Sequence, residues 1–236
     1  MTGRSTVLVG IAIVLMACAC TSGAPSTVAP GATPQPMLPG THDLVAGTYA
    51  FNPLIDASGQ PFPNIVITVP GGWNSYERFA VQRFVDTPRQ LVVSVWNVVD
   101  VYSNGCHWIG PMIHPGPTVD ELGAVLAARP LRNATAPVAV SFGGYAGKYL
   151  VWSVPADIRF SDCDGGRFMS WIGAGDRYQQ GPGQVDRLWI LDVEGHRLVI
   201  DATYMPGATE QDRAELAAVV NSIAFETPTT RHTVSR

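Results

Sequence analysis

The sequence predicts an α+β fold in which an antiparallel β-sheet is flanked by two helices. Short runs of β-branched and apolar residues, bounded by glycine, proline and polar residues, recur along most of the chain and are typical of strands. Two other segments carry apolar residues at helical spacing, each directly after a threonine-based start signal. Strands, a helix, more strands and a terminal helix follow in that order, which favours an antiparallel sheet packed against helices.

Residues 1–17 are predicted to be a signal peptide. Arg4 gives a short positive start, and residues 7–17 form an apolar run that is broken only by Gly10. A membrane-spanning helix needs roughly 20 apolar residues, whereas roughly 7 to 15 suit the apolar core of a secretory signal. This segment is therefore excluded from the folded domain.

The segment Leu15-Met16-Ala17-Cys18 resembles the lipobox of bacterial lipoproteins, with a large aliphatic residue three positions before the cysteine and a small one directly before it. In that family the cysteine receives a diacylglyceryl group and becomes the N-terminus after cleavage. The resemblance implies a lipoprotein, with palmitate-type acyl chains on Cys18, held on the extracytoplasmic face of the cell membrane. Cys20 is the alternative lipidation site, and an ordinary secretory signal with incidental cysteines is the other alternative. Since two acyl chains anchor stably, the lipid bilayer is a predicted partner.

Residues 18–47 are predicted to be a lipid-anchored linker, because they are rich in proline, serine, threonine and glycine and show no hydrophobic period. Such stretches stay extended and solvated, since they bury too little apolar surface to offset the entropy lost on ordering. The tail, residues 227–236, is also predicted to be disordered. Residues 48–226 remain as one α+β extracytoplasmic domain, which is long enough for a substantial core.

Strands are predicted at residues 64–70, 90–102, 137–142, 147–155 and 187–204. The last range is a hairpin that turns at Glu194-Gly195, because glycine adopts positive φ without steric cost. In the second arm of this hairpin apolar and mixed positions alternate, which predicts a sheet that is covered on one face only. Asp186, Arg187 and Asp201 in this region are interpreted as an ordinary salt bridge on the sheet face.

Both predicted helices begin with a capping box. Thr118 lies three residues before Glu121, and Thr209 lies three residues before Asp212, so each hydroxyl can accept from an early helix N–H while the acid reaches back. Apolar stripes follow in each helix. They comprise Val119, Leu122, Val125 and Leu126 in the first helix and Leu216, Val219, Val220 and Ile223 in the second.

The charge pattern excludes nucleic acid as a partner. Charged residues make up 14% of the chain, the formal net charge is −4, and Lys148 is the single lysine. Nucleic-acid binding requires a basic surface that this composition does not supply. The sequence also lacks a nucleophile elbow, a zinc-protease motif and a phosphate-binding glycine loop, so no cofactor is predicted.

The segment VITVPGGW, residues 66–73, resembles the strand-Pro-Gly-Trp opening of PsbP-like domains and of actinobacterial lipoproteins of the LpqN type. The order of elements through the final helix is similar too, over residues 48–224. The block SDCDGGRF, residues 161–168, is similar to an actinobacterial secreted lipoprotein family. The resemblance implies a PsbP-like sandwich, in a superfamily used mostly for binding and assembly, with no catalytic residues to transfer.

Cys106 and Cys163 are the two internal cysteines of the predicted exported domain, and we expect them to form a disulfide. A free thiol is one alternative. A metal site is the other, with His107 and His114 as ligands beside an aspartate, although this spacing matches no established metal-binding pattern.

The disulfide is expected to bring two polar loops together as a ligand site. This hypothesis predicts a small cleft with aromatic walls that takes a sugar or another compact ligand. In the alternative interpretation both tryptophans are core residues and both aspartates are solvated turn residues. The predicted ligand-loop residues are His107, Trp108, Asp162, Asp164, Arg167 and Trp171.

The function predicted from these features is a non-catalytic binding module for an envelope ligand or a protein partner, tethered outside the membrane. A structural or sensory envelope domain without a small-ligand site is the second hypothesis. A hydrolase of an envelope substrate is the third, using His107 and Asp164. It requires imidazole or carboxyl groups with shifted pKa values that converge in a cleft.

Overall fold

The computed structural model describes residues 33–51, 64–173 and 175–226 of the 236-residue chain. The predicted signal peptide, both candidate lipidation sites and the predicted C-terminal tail lie outside these residues. Neither helix within the described ranges is long and apolar enough to cross a membrane.

The described residues form sixteen strands and two α-helices. In chain order they are β1 (Gln35–Pro36), β2 (Thr41–Leu44), β3 (Gly47–Phe51), β4 (Asn64–Val69), β5 (Trp73–Tyr76), β6 (Ala80–Arg83), β7 (Leu91–Trp96), β8 (Asp100–Tyr102), β9 (Met112–Ile113), α1 (Val119–Ala127), β10 (Val138–Phe142), β11 (Tyr145–Ser153), β12 (Met169–Ile172), β13 (Asp176–Tyr178), β14 (Val185–Val193), β15 (His196–Tyr204), α2 (Glu210–Asn221) and β16 (Ala224–Glu226). Two short 3-10 turns, Phe160–Asp162 and Asp164–Gly166, precede β12.

The strands form three sheets. The largest has eight strands in the order β10-β11-β14-β15-β7-β6-β5-β2, and every neighbouring pair in it is antiparallel. A second sheet has the order β1-β3-β4-β16, in which β1 and β3 run parallel, and a third has the order β13-β12-β8-β9. The predicted fold class, antiparallel β-structure flanked by two helices, is confirmed.

The range predicted as one strand from residue 90 to residue 102 is divided between two sheets. β7 belongs to the eight-stranded sheet, whereas β8 pairs with β12 in the third sheet. The backbone between them leaves the large sheet, because Val99 N donates to Ile172 O at 2.8 Å and the Arg197 guanidinium binds Val98 O at 2.9 Å. This crossover places the third sheet against one face of the first.

The eight-stranded sheet has a hydrophobic core on each face. Ile200 of β15 belongs to the core beneath α2 and the second sheet, whereas its neighbour Val199 belongs to the core that contains Leu122 and Leu126 of α1. Since adjacent strand residues point to opposite faces, β15 is enclosed on both sides. The prediction of a sheet covered on one face only is therefore wrong for this hairpin, in which residues 198–203 are all buried.

The two capping boxes are confirmed. Thr118 accepts from Glu121 N, and the Glu121 carboxylate accepts from Thr118 N at 2.9 Å. Thr209 and Asp212 make the same pair of bonds at the start of α2. The hydrogen bonds from Thr118 lower the pKa of Glu121 below its usual value.

The ordered domain begins earlier than the predicted boundary at residue 48. β1 and β2 lie within the range predicted as linker, and Met37 between them is only 6% exposed. β1 pairs with β3 and β2 pairs with β5, so the order of both segments depends on hydrogen bonds to other strands. Such pairing leaves no hydrophobic period in the local sequence. The structure thus corrects the linker prediction over the residues from Gln35 onward.

Candidate functional site

A groove of about 520 Å³ opens on the face of the eight-stranded sheet that also packs against α1. Strands β6, β7 and β15 form its floor, and β5 and β13 stand at its sides. Small and polar residues lie on the floor of the groove. The opposite face of the same strands is aliphatic. Ala80, Ser94 and Thr203 are buried floor residues, and each comes from a different strand.

Aromatic rings form one continuous wall of the groove. The ring centroids of Tyr76 and Phe79 lie 5.8 Å apart, and those of Phe79 and Trp96 lie 5.0 Å apart. Tyr178 of β13 faces the groove from the other side. Tyr76 and Tyr178 are 46% and 40% exposed, so both rings are accessible to a ligand.

Three exposed carboxylates surround the mouth: Glu77, Asp86 and Asp176. Glu77 accepts from the backbone N–H of Gly40 at 3.1 Å, and Asp176 lies 3.5 Å from the hydroxyl of Tyr102. Burial, together with the charge of Asp176, raises the pKa of Tyr102 above its ordinary value. The mouth of the groove is therefore negatively charged.

A buried ionic network lies at the groove floor, centred on Arg177. Its Nε donates to Asp201 at 2.9 Å, and its Nη2 lies 3.2 Å from Asp186 and 3.0 Å from the hydroxyl of Thr203. The side chains of both aspartates are fully buried. Burial of a charge is costly unless it is paired and hydrogen-bonded, so these groups stabilise one another only as a complete set.

Burial raises the pKa of Asp201, whereas the hydrogen bonds from Arg177 and Thr203 lower it. The Thr203 hydroxyl oxygen lies 2.8 Å from Asp186 and 3.0 Å from Asp201, yet a hydroxyl has a single proton to donate. It can therefore donate to only one of the two carboxylates at a time. Burial raises the pKa of Asp201 to about 6, against the opposing charge of Arg177 and with the help of the like charge of Asp186.

We predict that Asp201→Asn flattens the pH dependence of stability between about pH 4 and pH 6. The folded-state pKa of Asp201 lies above the unfolded value, so its contribution to stability is complete below about pH 4 and is lost as pH rises through about 6. A shift of this size corresponds to about 3 kcal/mol. Urea unfolding across this range measures the effect as the difference between the wild-type and variant curves.

The exposed residue Asp157 supplies the matched control for that experiment. Asp157→Asn should keep the wild-type slope of unfolding free energy against pH. Carboxylates outside the buried network, including Asp212, whose pKa is lowered by Arg89, contribute the same slope to all three proteins and cancel in the differences. Parallel curves for Asp201→Asn and wild type would contradict the assignment.

A second buried arginine joins the third sheet to the rest of the domain. Arg132 donates to Met169 O at 2.6 Å and to the hydroxyl of Ser170 at 2.8 Å, and its guanidinium lies between the rings of Trp152 and Phe168. Burial lowers the pKa of Arg132 to about 9. This arginine fixes β12, and through it the β13 wall of the groove.

The predicted disulfide is confirmed. Cys106 and Cys163 are joined, with their Cα atoms 4.5 Å apart, and the bond brings three of the predicted ligand-loop residues together. Trp108 Nε1 donates to Asp164 O at 2.6 Å, and the His107 ring lies 3.7 Å from the Asp164 carboxylate. His107 is exposed, so the pair lies on the surface of the loops.

The other three predicted residues lie apart from this cluster. Asp162 pairs with Arg159 at 2.7 Å, and the Arg167 guanidinium lies 5.3 Å from the ring centroid of Tyr178. Trp171 is fully buried, so the expectation that it walls a cleft is wrong and it is a core residue, as the alternative interpretation held. Ligand binding by the remaining loop residues stays a prediction.

The metal alternative finds no support in the placement of the histidines. His114 pairs with Asp100 at 3.0 Å and makes no common cluster with His107. No group of three or more histidine, cysteine, aspartate or glutamate residues suited to a metal ion occurs within the described ranges.

The groove residues were missed by reasoning from the sequence, although one signal was present. Ser94 in β7 and both Asp201 and Thr203 in β15 interrupt strands that are otherwise apolar, and Ser94 pairs directly with Asp201 across the two strands. Polar residues at alternate positions of a buried strand share one face. Such a pattern indicates a polar site on that face, but it does not identify Arg177 as the partner.

Fold and groove together define an α+β domain with an open groove of a size suited to a small ligand. No protein-family model matches the chain. No curated protein matches it either. Among solved structures it is similar to LpqN of Mycobacterium tuberculosis, described as involved in cell envelope biogenesis, with a TM-score of 0.35, 9% identity, and coverage of 79% of this chain and 91% of that one. This likeness is too weak to support a statement about function.

Proposed function

We propose that the protein is a membrane-tethered extracytoplasmic lipoprotein that binds a compact envelope ligand in its groove and does not transform it. The groove itself carries the proposal. Its volume of about 520 Å³ lies within the range of small-molecule sites, which is roughly 300 to 1,000 Å³. Such sites combine aromatic walls with a few polar groups, and the walls here are Tyr76, Phe79, Trp96 and Tyr178.

The hydrogen bonding of the groove floor favours binding over catalysis. Arg177 and Thr203 are bound to the two buried aspartates, and the Ser94 hydroxyl accepts from Trp96 Nε1 at 2.8 Å. A nucleophile or general base must be able to reach a reacting atom. These groups instead hold the floor rigid, which is suited to recognition of a fixed shape.

Tethering by lipid belongs to this proposal through the lipobox-like segment at Cys18. We expect the protein purified from native membranes to have a diacylated N-terminal cysteine in intact mass spectrometry. The same preparation tests the groove, because native mass spectrometry of the folded protein detects a retained small ligand.

Val92→Phe is expected to abolish that ligand adduct. Val92 is a half-buried residue of β7 that lines the groove, so a larger ring fills the space without entering the core beneath α2. Val138→Phe is the matched control, because Val138 is 54% exposed on the distant edge strand β10. It should retain the adduct of the wild-type protein.

Three outcomes decide the proposal. An adduct lost only in Val92→Phe supports a groove ligand. A bound molecule that is converted to a product of different mass supports the hydrolase hypothesis instead. Absence of any adduct, together with unchanged NMR signals of groove residues on addition of N-acetylglucosamine oligomers and peptidoglycan fragments, contradicts binding and favours a structural domain.

A further inference from the structure

We infer that the groove selects a ligand with a positively charged head, of the ammonium or quaternary ammonium class, that also carries a hydrogen-bonding group. This inference rests on the proposed function, and it adds the chemical class of the ligand. Three features of the groove support it: the charge at its mouth, the position of its aromatic rings, and a glutamine amide that is open to the groove and makes no hydrogen bond to another described residue.

The charged groups at the groove are unequal in sign. Glu77, Asp86 and Asp176 are exposed at the mouth, whereas Arg177 is the one cation among the described residues that line the groove. Arg177 is buried between two carboxylates, so it leaves no positive charge for a ligand. The guanidinium of Arg167 lies close by on Tyr178, and one cation against three carboxylates leaves the mouth negative.

The exposed aromatic rings are placed to complement a cation. Tyr76 and Tyr178 stand on opposite sides of the groove, and Phe79 and Trp96 continue the aromatic wall inward from Tyr76. The negative face of an aromatic ring attracts ammonium groups, and quaternary ammonium ligands are bound by sets of such rings. Tyr178 already binds a cation within the molecule, since Arg167 lies over its ring.

Gln90 supplies the hydrogen-bonding element of the site. The residue is only 6% exposed and lines the groove, and its side-chain amide makes no hydrogen bond to another described residue. The amide atoms of Gln90 are not among the fully enclosed side-chain atoms of the described residues that lack a partner, so they are open to the groove, where a ligand or water can bind them. A hydroxyl of the ligand can use both the donor and the acceptor of the Gln90 amide, and a carbonyl of the ligand can accept from its N–H.

Choline and its uncharged isostere 3,3-dimethylbutan-1-ol are the probes that test this inference. They share shape and hydroxyl group and differ in charge. We expect choline to bind the full-length protein about tenfold more tightly, by NMR titration of groove signals, because carboxylates and aromatic faces act on the cation alone. The preference should decrease at high salt, since exposed charges are screened.

Two variants separate the contributions of charge and amide. Asp86→Asn should weaken choline binding about fivefold and leave the isostere unchanged, since one carboxylate near a cation contributes about that much in water. Gln90→Leu should weaken both probes, because both carry the hydroxyl. Asp157→Asn removes an exposed carboxylate that does not line the groove, and it should bind as the wild type does.

Equal affinity for the two probes would overturn the selection of a cation, while groove binding itself would still be supported. Choline-induced NMR changes confined to the Cys106–Cys163 loops would overturn it as well. Failure of both probes to bind also counts against the cationic class. The adduct experiment with Val92→Phe then decides separately whether the groove holds any ligand.

Discussion

Arg177→Met is expected to destabilise the domain by about 3 to 5 kcal/mol, more than any other single substitution that we consider. The change removes the cation that contacts Asp186 and Asp201, both of which are fully buried. Loss of one partner from a buried ionic network leaves an uncompensated charge, and the cost is of this size. The free energy of unfolding, measured with urea near neutral pH, gives the result directly.

The control for this prediction lies on β14, the next strand along the chain. Arg187 follows Asp186 in β14 but points to the opposite face, where it is half-buried and its guanidinium lies 5.9 Å from the ring centroid of Tyr204. Arg187→Met should therefore have a small effect. Adding Asp201→Asn to Arg177→Met should recover part of the lost stability, because it removes a buried carboxylate. Wild-type stability in Arg177→Met would show that the network contributes nothing.

Removal of the disulfide is expected to cost about 4 kcal/mol in the double variant Cys106→Ala/Cys163→Ala. The bond joins residues that are 57 positions apart. Closing a loop of that length lowers the entropy of the unfolded chain, which raises the free energy of unfolding by about 4 kcal/mol. Both cysteines are buried beside Phe168, so alanine also leaves a small loss of packing. Thermal and urea unfolding of the two oxidised proteins measure the difference.

Reductant provides the internal control for the disulfide. Dithiothreitol should lower the stability of the wild type toward that of the double variant, and it should leave the variant unchanged. If the oxidised wild type and the variant unfold at the same urea concentration, the bond does not constrain the chain in solution. The free-thiol alternative for Cys106 would then return.

Features that depend on neighbours in the chain could be predicted from the sequence. The capping boxes at Thr118 and Thr209 join residues three positions apart, and the buried stripe containing Leu122 and Leu126 follows from helical spacing. The hairpin of β14 and β15 has its turn at Glu194-Gly195, as glycine predicts. The disulfide followed from the number of internal cysteines rather than from distance.

The candidate groove could not be predicted, because its parts come from distant segments. Arg177 is in a three-residue strand, and its partner Asp201 lies 24 residues away in a different sheet. No local pattern distinguishes this arginine from one exposed to solvent. Asp201 was assigned instead to an ordinary pair on the sheet face with Arg187, which points to the other side of the sheet.

The second sheet has a consequence for the order in which the molecule can fold. β4 pairs with β16, and the Ser222 hydroxyl bonds the backbone of Thr68, 154 positions earlier in the chain. Contacts of such long range form slowly, because the chain must first close a large loop. Until β16 is synthesised, one edge of β4 has no partner, and an unpaired edge invites association between chains. Completion of the second sheet therefore depends on the last described strand, β16, and a chain cut short before residue 224 would be prone to aggregate.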